Sequence, residues 1–126
     1  MELSRADKIW NRATENNNPH AAAGDRALTD MLHVHGLIMN GGVLNAVEIT
    51  DEAELASALA GYEFFGIVAV RGLVQRARNL IKGGSKLGPY EAELDREYMS
   101  IIPSDSYLSA AFEQHLSAAP DDFSPL

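Results

Sequence analysis

The triplet Asn40-Gly41-Gly42 lies between two apolar segments, the long periodic run from Leu28 to Met39 and the shorter run Val43-Leu44-Asn45-Ala46-Val47. Asparagine and glycine enter the left-handed backbone region at low steric cost, so the triplet imposes a sharp change of chain direction. Two structures meet that demand. Leu28, Met31, Leu32, His35, Ile38 and Met39 recur at helical spacing, which makes Asn40-Gly41 a helix stop. Asn-Gly between apolar runs is also a hairpin signal, and Val43, Asn45, Val47 and Ile49 alternate with Leu44, Ala46 and Glu48. The upstream run is long and helix-periodic for a strand, which favours a helix followed by a turn.

The rest of the chain carries mostly helical signals. Ala6, Ile9, Trp10 and Ala13 predict a helix over residues 3–15 with Ser4 as N-cap, ended by the loop Asn16-Asn17-Asn18-Pro19. The second helix is expected from Asp25 to Met39. A further helix follows over 51–60: Thr50 or Asp51 caps it, Glu54 stands in capping-box register, Leu55, Ala58 and Leu59 face inward, and Gly61 ends or bends it. From Tyr62 to Lys82 the chain is apolar almost all round before it turns basic, as in a central buried helix. Gly66, Ala69 and Gly72 there suit close approach of neighbours. The β-branched stretch Phe65 to Val70 also fits a buried strand. Residues 82–88 read as a flexible glycine-rich loop, and Pro89 suits the first turn of a helix with Leu94, Tyr98, Ile101 and Ile102 on its stripe. Pro103 stops that helix, Ser104 or Asp105 caps a last one with Leu108, Ala111, Phe112 and Leu116 inward, and Ala119-Pro120-Asp121-Asp122-Phe123 reads as an acidic tail. The expected fold is all-α, a single compact domain of five to six helices, in which an N-terminal helix and loop (1–24) and the remainder (25–123) form one globular unit.

Composition narrows the class. With 46% hydrophobic and 22% charged residues, the 126-residue chain is globular rather than disordered and long enough for one core. No apolar run approaches the ~20 residues of a membrane span. The start, Met-Glu-Leu-Ser-Arg-Ala-Asp-Lys, holds no apolar signal core. The absence of cysteine excludes a disulfide framework, a thiolate metal site and a thiol nucleophile. A cytoplasmic protein without membrane contact is expected. The net charge of −8 is unevenly spread: −2 over residues 1–50, −4 over 51–70, +5 over 71–90 and −7 over 91–126. An acidic surface favours basic partners over direct contact with nucleic acid.

Few residues point to chemistry. Asp30 and His33 share a helix face, one turn apart, and allow a carboxylate–imidazole pair, whereas His35 points to the apolar stripe. His20 and His115 lie too far off in sequence to complete a metal site, so no metal or other cofactor is expected. Gly83-Gly84-Ser85-Lys86-Leu87-Gly88 lacks the spacing of a phosphate loop. Of Glu91, Glu93, Asp95 and Glu97, only pairs such as Glu93 and Glu97 share a face, and acids also suit a helix start. Arg76, Arg78 and Lys82, within the basic block Arg71 to Lys86, suit a helix end, and the acidic and basic blocks are placed to pair across the loop.

A helix running into Asn40-Gly41-Gly42, then Asn45, an acidic start at Asp51 leading to Ala58-Leu59, and a glycine-bearing apolar helix together resemble an uncharacterised bacterial domain family whose best-known member is a dimeric DNA-mimic protein. Asp95, Tyr98, Phe112, His115-Leu116 and Pro120-Asp121-Asp122-Phe123 fit the same pattern, which covers about residues 25–123. The resemblance implies an all-α domain, often a homodimer, with Asn40, Gly41, Gly42 and Asn45 as architectural residues. For the mimic it implies a carboxylate surface that occupies a basic DNA-binding protein. The leading expectation is a non-enzymatic domain that offers Asp51, Glu52, Glu54, Glu63, Glu91, Glu93, Asp95 and Glu97 to a basic protein. Two alternatives are a small ligand-binding protein or enzyme with a polar pocket near the Asn-Gly-Gly turn, and an immunity or accessory protein with one dedicated partner.

Overall fold

The computed structural model describes residues 2–84 and 86–126; Ser85, within the expected glycine-rich loop, lies outside the described residues. Its helices are α1 (Arg5–Glu15), α2 (Ala23–Gly41), α3 (Val43–Ile49), α4 (Glu52–Phe64), α5 (Val70–Lys82), α6 (Gly88–Ile101) and α7 (Asp105–Ala118), followed by a 3-10 turn (Pro120–Asp122). The described residues contain no strand. The all-α expectation therefore holds: six helices of eleven residues or more answer to the six expected segments, with α4 running past Gly61, α5 starting only at Val70, and short α3 between α2 and α4.

Local chemistry explains most of the ends. Ser4 accepts from the Asp7 N–H at 3.1 Å while the Asp7 carboxylate accepts from the Ser4 N–H at 3.3 Å, a complete capping box. Asn16 closes α1 in the left-handed region with φ 51°, which asparagine tolerates. Asp51 accepts from the Glu54 N–H at 2.8 Å, and Ser104 from the Tyr107 N–H at 3.3 Å.

The Asn-Gly-Gly turn is a helix-to-helix reversal and not a hairpin. α2 runs through Gly41, and the turn itself is Gly42, with φ +90°. Gly42 donates to the Ile38 carbonyl at 2.7 Å, and its own carbonyl accepts from Ala46 at 3.1 Å, so one residue ends α2 and starts α3. Gly41 stays small for another reason: the Asn45 side-chain amide lies where its Cβ would stand.

The expected helix from Tyr62 to Lys82 begins only at Val70: residues 62–64 complete α4, and Phe65 to Ala69 is neither helix nor strand. Gly66 adopts φ +82° and donates to the Glu63 carbonyl at 2.9 Å, and Ile67 donates to the Tyr62 carbonyl at 2.9 Å. This pair of bonds around a left-handed glycine is a Schellman stop, with buried Ile67 as its apolar seal. Val68, read as part of a buried segment, is 70% exposed. The glycines at 66 and 72 face open space, and the close helix contact falls at Gly61, inside α4 rather than at its end.

The core is one cluster fed by every helix, including Ile9 and Ala13 of α1 and Phe123 beyond the 3-10 turn. The acidic tail thus folds back: Phe123 meets Phe112 edge-on with ring centroids 5.5 Å apart. α2 packs most extensively against α4. No helix among the described residues is long and apolar enough to cross a membrane.

A Cβ at Gly61 would stand 2.5 Å from the Ala27 carbonyl oxygen, whereas one at Gly72 meets nothing within 4 Å. Gly61→Ala should therefore lose about 1–3 kcal/mol by forcing α2 and α4 apart. Gly72→Ala should gain about 0.5–1 kcal/mol from helix propensity alone. Urea unfolding midpoints of the two variants test the contrast.

Candidate functional site

The turn and the start of α6 enclose a cleft of about 280 Å³ in which Gly41, Gly42 and Asn45 meet Glu48, Glu91 and Asp95. Asp95 is fixed there: its Oδ1 accepts from the Val43 N–H at 2.9 Å, and the carboxylate lies just over 3 Å from where a Gly42 Cβ would be. The glycine thus serves both the left-handed turn and the approach of a carboxylate from another helix. Asn40, His33 and His35 do not line this cleft.

The eight carboxylates expected to form one acidic surface divide by their partners. Glu63 holds Arg71 in a bidentate pair at 2.7 and 2.8 Å, and Glu97 and Glu93 hold Arg76 at 2.7 and 3.4 Å. The acidic and basic blocks therefore do meet, from α5 to α6. The Glu63 carboxyl is held below its ordinary range by the Arg71 hydrogen bonds. Asp51 and Asp95 serve as caps, and Glu54 stands 3.8 Å from His33. Among the described residues, Glu52 and Glu91, with Glu48 beside them, form no ion pair.

Asp30 and His33 do share a cleft, of about 330 Å³, between α1, α2 and α4, with Glu54 completing a titratable trio and Thr14, Asn16 and Thr29 around it. Burial raises the Asp30 carboxyl above its usual range, against the opposing pull of His33 and Arg26. Among the described residues no three His, Asp or Glu side chains come together as a metal-binding set.

Two polar arrangements carry no local sequence signature. The first is a buried chain. His35 Nε2 lies 2.8 Å from Asp105 Oδ1, His35 Nδ1 lies 2.7 Å from the Tyr98 hydroxyl, and that hydroxyl lies 2.7 Å from the Tyr62 hydroxyl. It joins α7, α2, α6 and α4 in that order and runs from a carboxylate 81% exposed to a tyrosine fully enclosed. Burial raises both phenols well above their ordinary range, so both keep their protons. A carboxylate can only accept, which puts a proton on Nε2; in the neutral tautomer that results, Nδ1 accepts from Tyr98, whose oxygen accepts from Tyr62. Every group is then satisfied in one direction only.

The second arrangement surrounds Asp25, which is buried although it was read as a helix start. Its Oδ1 accepts from Arg12 Nη2 at 2.8 Å; its Oδ2 accepts from the N–H groups of Ala22 at 3.0 Å and Ser124 at 2.8 Å. Arg12 also donates to the carbonyls of Ser124 at 3.0 Å and Pro125 at 2.8 Å. Burial opposes the Asp25 charge, but the hydrogen bonds from Ser124, Ala22 and Arg12 outweigh it and lower the carboxyl's pKa. His115, meanwhile, is bonded to Asp122 at 2.7 Å and packs on Phe64 with ring centroids 4.3 Å apart. No protein-family model, curated protein or solved structure matches this chain.

Tyr98→Phe strands both the Tyr62 hydroxyl and His35 Nδ1 and should cost about 1–3 kcal/mol. Tyr62→Phe leaves Tyr98 still donating to His35 and should cost roughly half of that or less. Chemical denaturation of the two variants tests the directed chain; equal losses would contradict it.

Because the folded Asp25 carboxyl titrates below its unfolded value, its stabilisation is present above the unfolded carboxylate range and disappears as pH falls through the folded value. Asp25→Asn should cost roughly 3–5 kcal/mol at neutral pH by leaving Arg12 uncompensated. The gap between variant and parent should narrow as pH falls below the carboxylate range, measured by thermal unfolding across that interval.

Proposed function

We propose that this domain is a non-enzymatic binding module that receives a basic protein segment at the cleft beside the Asn-Gly-Gly turn. One observation supports the reading above the others: Glu48, Glu91 and Asp95 converge on a single concavity with no arginine or lysine among its lining residues. Elsewhere on the expected acidic surface, Glu63, Glu93 and Glu97 are met by arginine. A lysine or arginine side chain entering the cleft would find carboxylates on two helices. Polar atoms of Asn45 border the same opening. In this reading the recognised chemistry is a cationic side chain. An extended imitation of duplex phosphates is less favoured, because arginines on α5 interrupt that field.

A lysine-rich peptide followed by fluorescence anisotropy tests it. Binding should weaken steeply with salt, since exposed charges are screened within about 10 Å at 0.1 M. The double variant Glu48→Lys, Glu91→Lys should lose at least about tenfold in affinity. Glu2→Lys with Glu113→Lys, which changes the net charge equally outside the cleft, should lose far less. Equal losses in both variants would reduce the effect to net charge and remove the cleft from the account.

A further inference from the structure

Between α3, α4 and α5 lies a second cleft, of about 310 Å³, near the lower end of the roughly 300–1,000 Å³ range of small-molecule sites. Its apolar lining comes from Val47, Leu55 and Ile81, of which Leu55 is buried and the other two half-buried. Arg78 and Lys82 stand one turn apart on α5 and so share a wall. Glu48 on α3 and Glu52 at the start of α4 supply two carboxylates from the facing helices.

These four opposed charges do not close on one another: among the described residues none forms an ion pair within 4.0 Å. The contrast lies on the same helix, where Arg71 and Arg76 are drawn onto Glu63, Glu93 and Glu97. A cleft with a cationic wall, an anionic wall and an apolar lining selects against a ligand of one sign, because either wall then repels it. We infer that this cleft binds a small zwitterion with an aliphatic body. Its carboxylate meets Arg78 and Lys82, its ammonium meets Glu52 and Glu48, and its hydrocarbon covers Val47, Leu55 and Ile81. The arginine fork suits a carboxylate bidentately, which fixes orientation as well as charge. The inference does not rest on the basic-segment reading, which concerns the cleft between α3 and α6 and shares only Glu48.

Two chemical sources fit, an aliphatic α-amino acid and an ω-amino acid with its charges at opposite ends. A nitrogen-edited NMR titration of the whole protein with leucine and ε-aminocaproate, beside isovalerate and isopentylamine, separates them. At least one zwitterion should give saturable shifts at millimolar concentration, centred on the amides of Val47, Thr50, Leu55 and Ile81, and the better of the two identifies the source. The singly charged analogues should bind at least about tenfold more weakly. Arg78→Gln and Glu52→Gln should each weaken the zwitterion about tenfold. Both variants should keep the parent spectrum elsewhere and keep lysine-peptide binding within a small factor, so failure here is distinct from failure of the basic-segment reading. Absence of saturable shifts with both zwitterions, binding of isovalerate or the amine as tight as the zwitterion, or indifference to both substitutions would each overturn the assignment.

Discussion

α2 and α4 touch where Gly61 has no side chain, and the space a Cβ would need is taken by the Ala27 carbonyl oxygen and, at 3.3 Å, by the Met31 nitrogen. Backbone-to-backbone approach of this kind allows little sliding, since any shift brings a neighbouring Cβ into the gap. It sets the register of the most extensive helix pair in the fold. Tyr62, the next residue, is carried into the interior by that register and meets Tyr98, which in turn reaches His35 on α2. The polar chain therefore closes a triangle of helices whose one fixed side is the glycine contact, and Asp105 attaches α7 to it.

Much of the fold was legible because its signals are local. Ser4, Asp51, Ser104 and Pro89 mark helix starts through bonds or ring constraints within a few residues, and the periodic stripes placed the helices behind them. The break between α4 and α5 was placed at Gly61 instead of after Phe64 because apolar residues continue across the true one. Its mark was present: Gly66 followed by apolar Ile67 is the composition of a Schellman stop, masked by the hydrophobic neighbours on both sides. Gly61 was misread in the opposite sense, because a helix-interior glycine and a helix-ending one look alike until a partner backbone is known.

The site was less legible, because its residues meet across long stretches of chain. His35 falls on the apolar stripe of α2 by spacing, and its partners lie 63 and 70 residues away. Asp25 carries the local sign of a helix-start acid, which it is, while its burial depends on Arg12 and Ser124. Block charges were informative in a different way. The +5 stretch and the acidic stretch after it neutralise one another partly through Arg76, so what α3 is left facing is decided by unmatched charges, the carboxylates Glu48, Glu52 and Glu91 and the cations Arg78 and Lys82. Sequence totals describe the molecule's distant field, and tertiary pairing decides where that field is felt at close range.

The Arg12 bonds to Ser124 and Pro125 span 112 and 113 residues, so α1, which also packs on its neighbour α2, is tied to the far end of the chain. Trp10, the one tryptophan of the chain, sits on α1 against Phe112 of α7 with ring centroids 5.8 Å apart. The molecule thus carries its own fluorophore at the seam between its first and last α-helices, and its emission reports formation of that tertiary contact separately from the gain of helix.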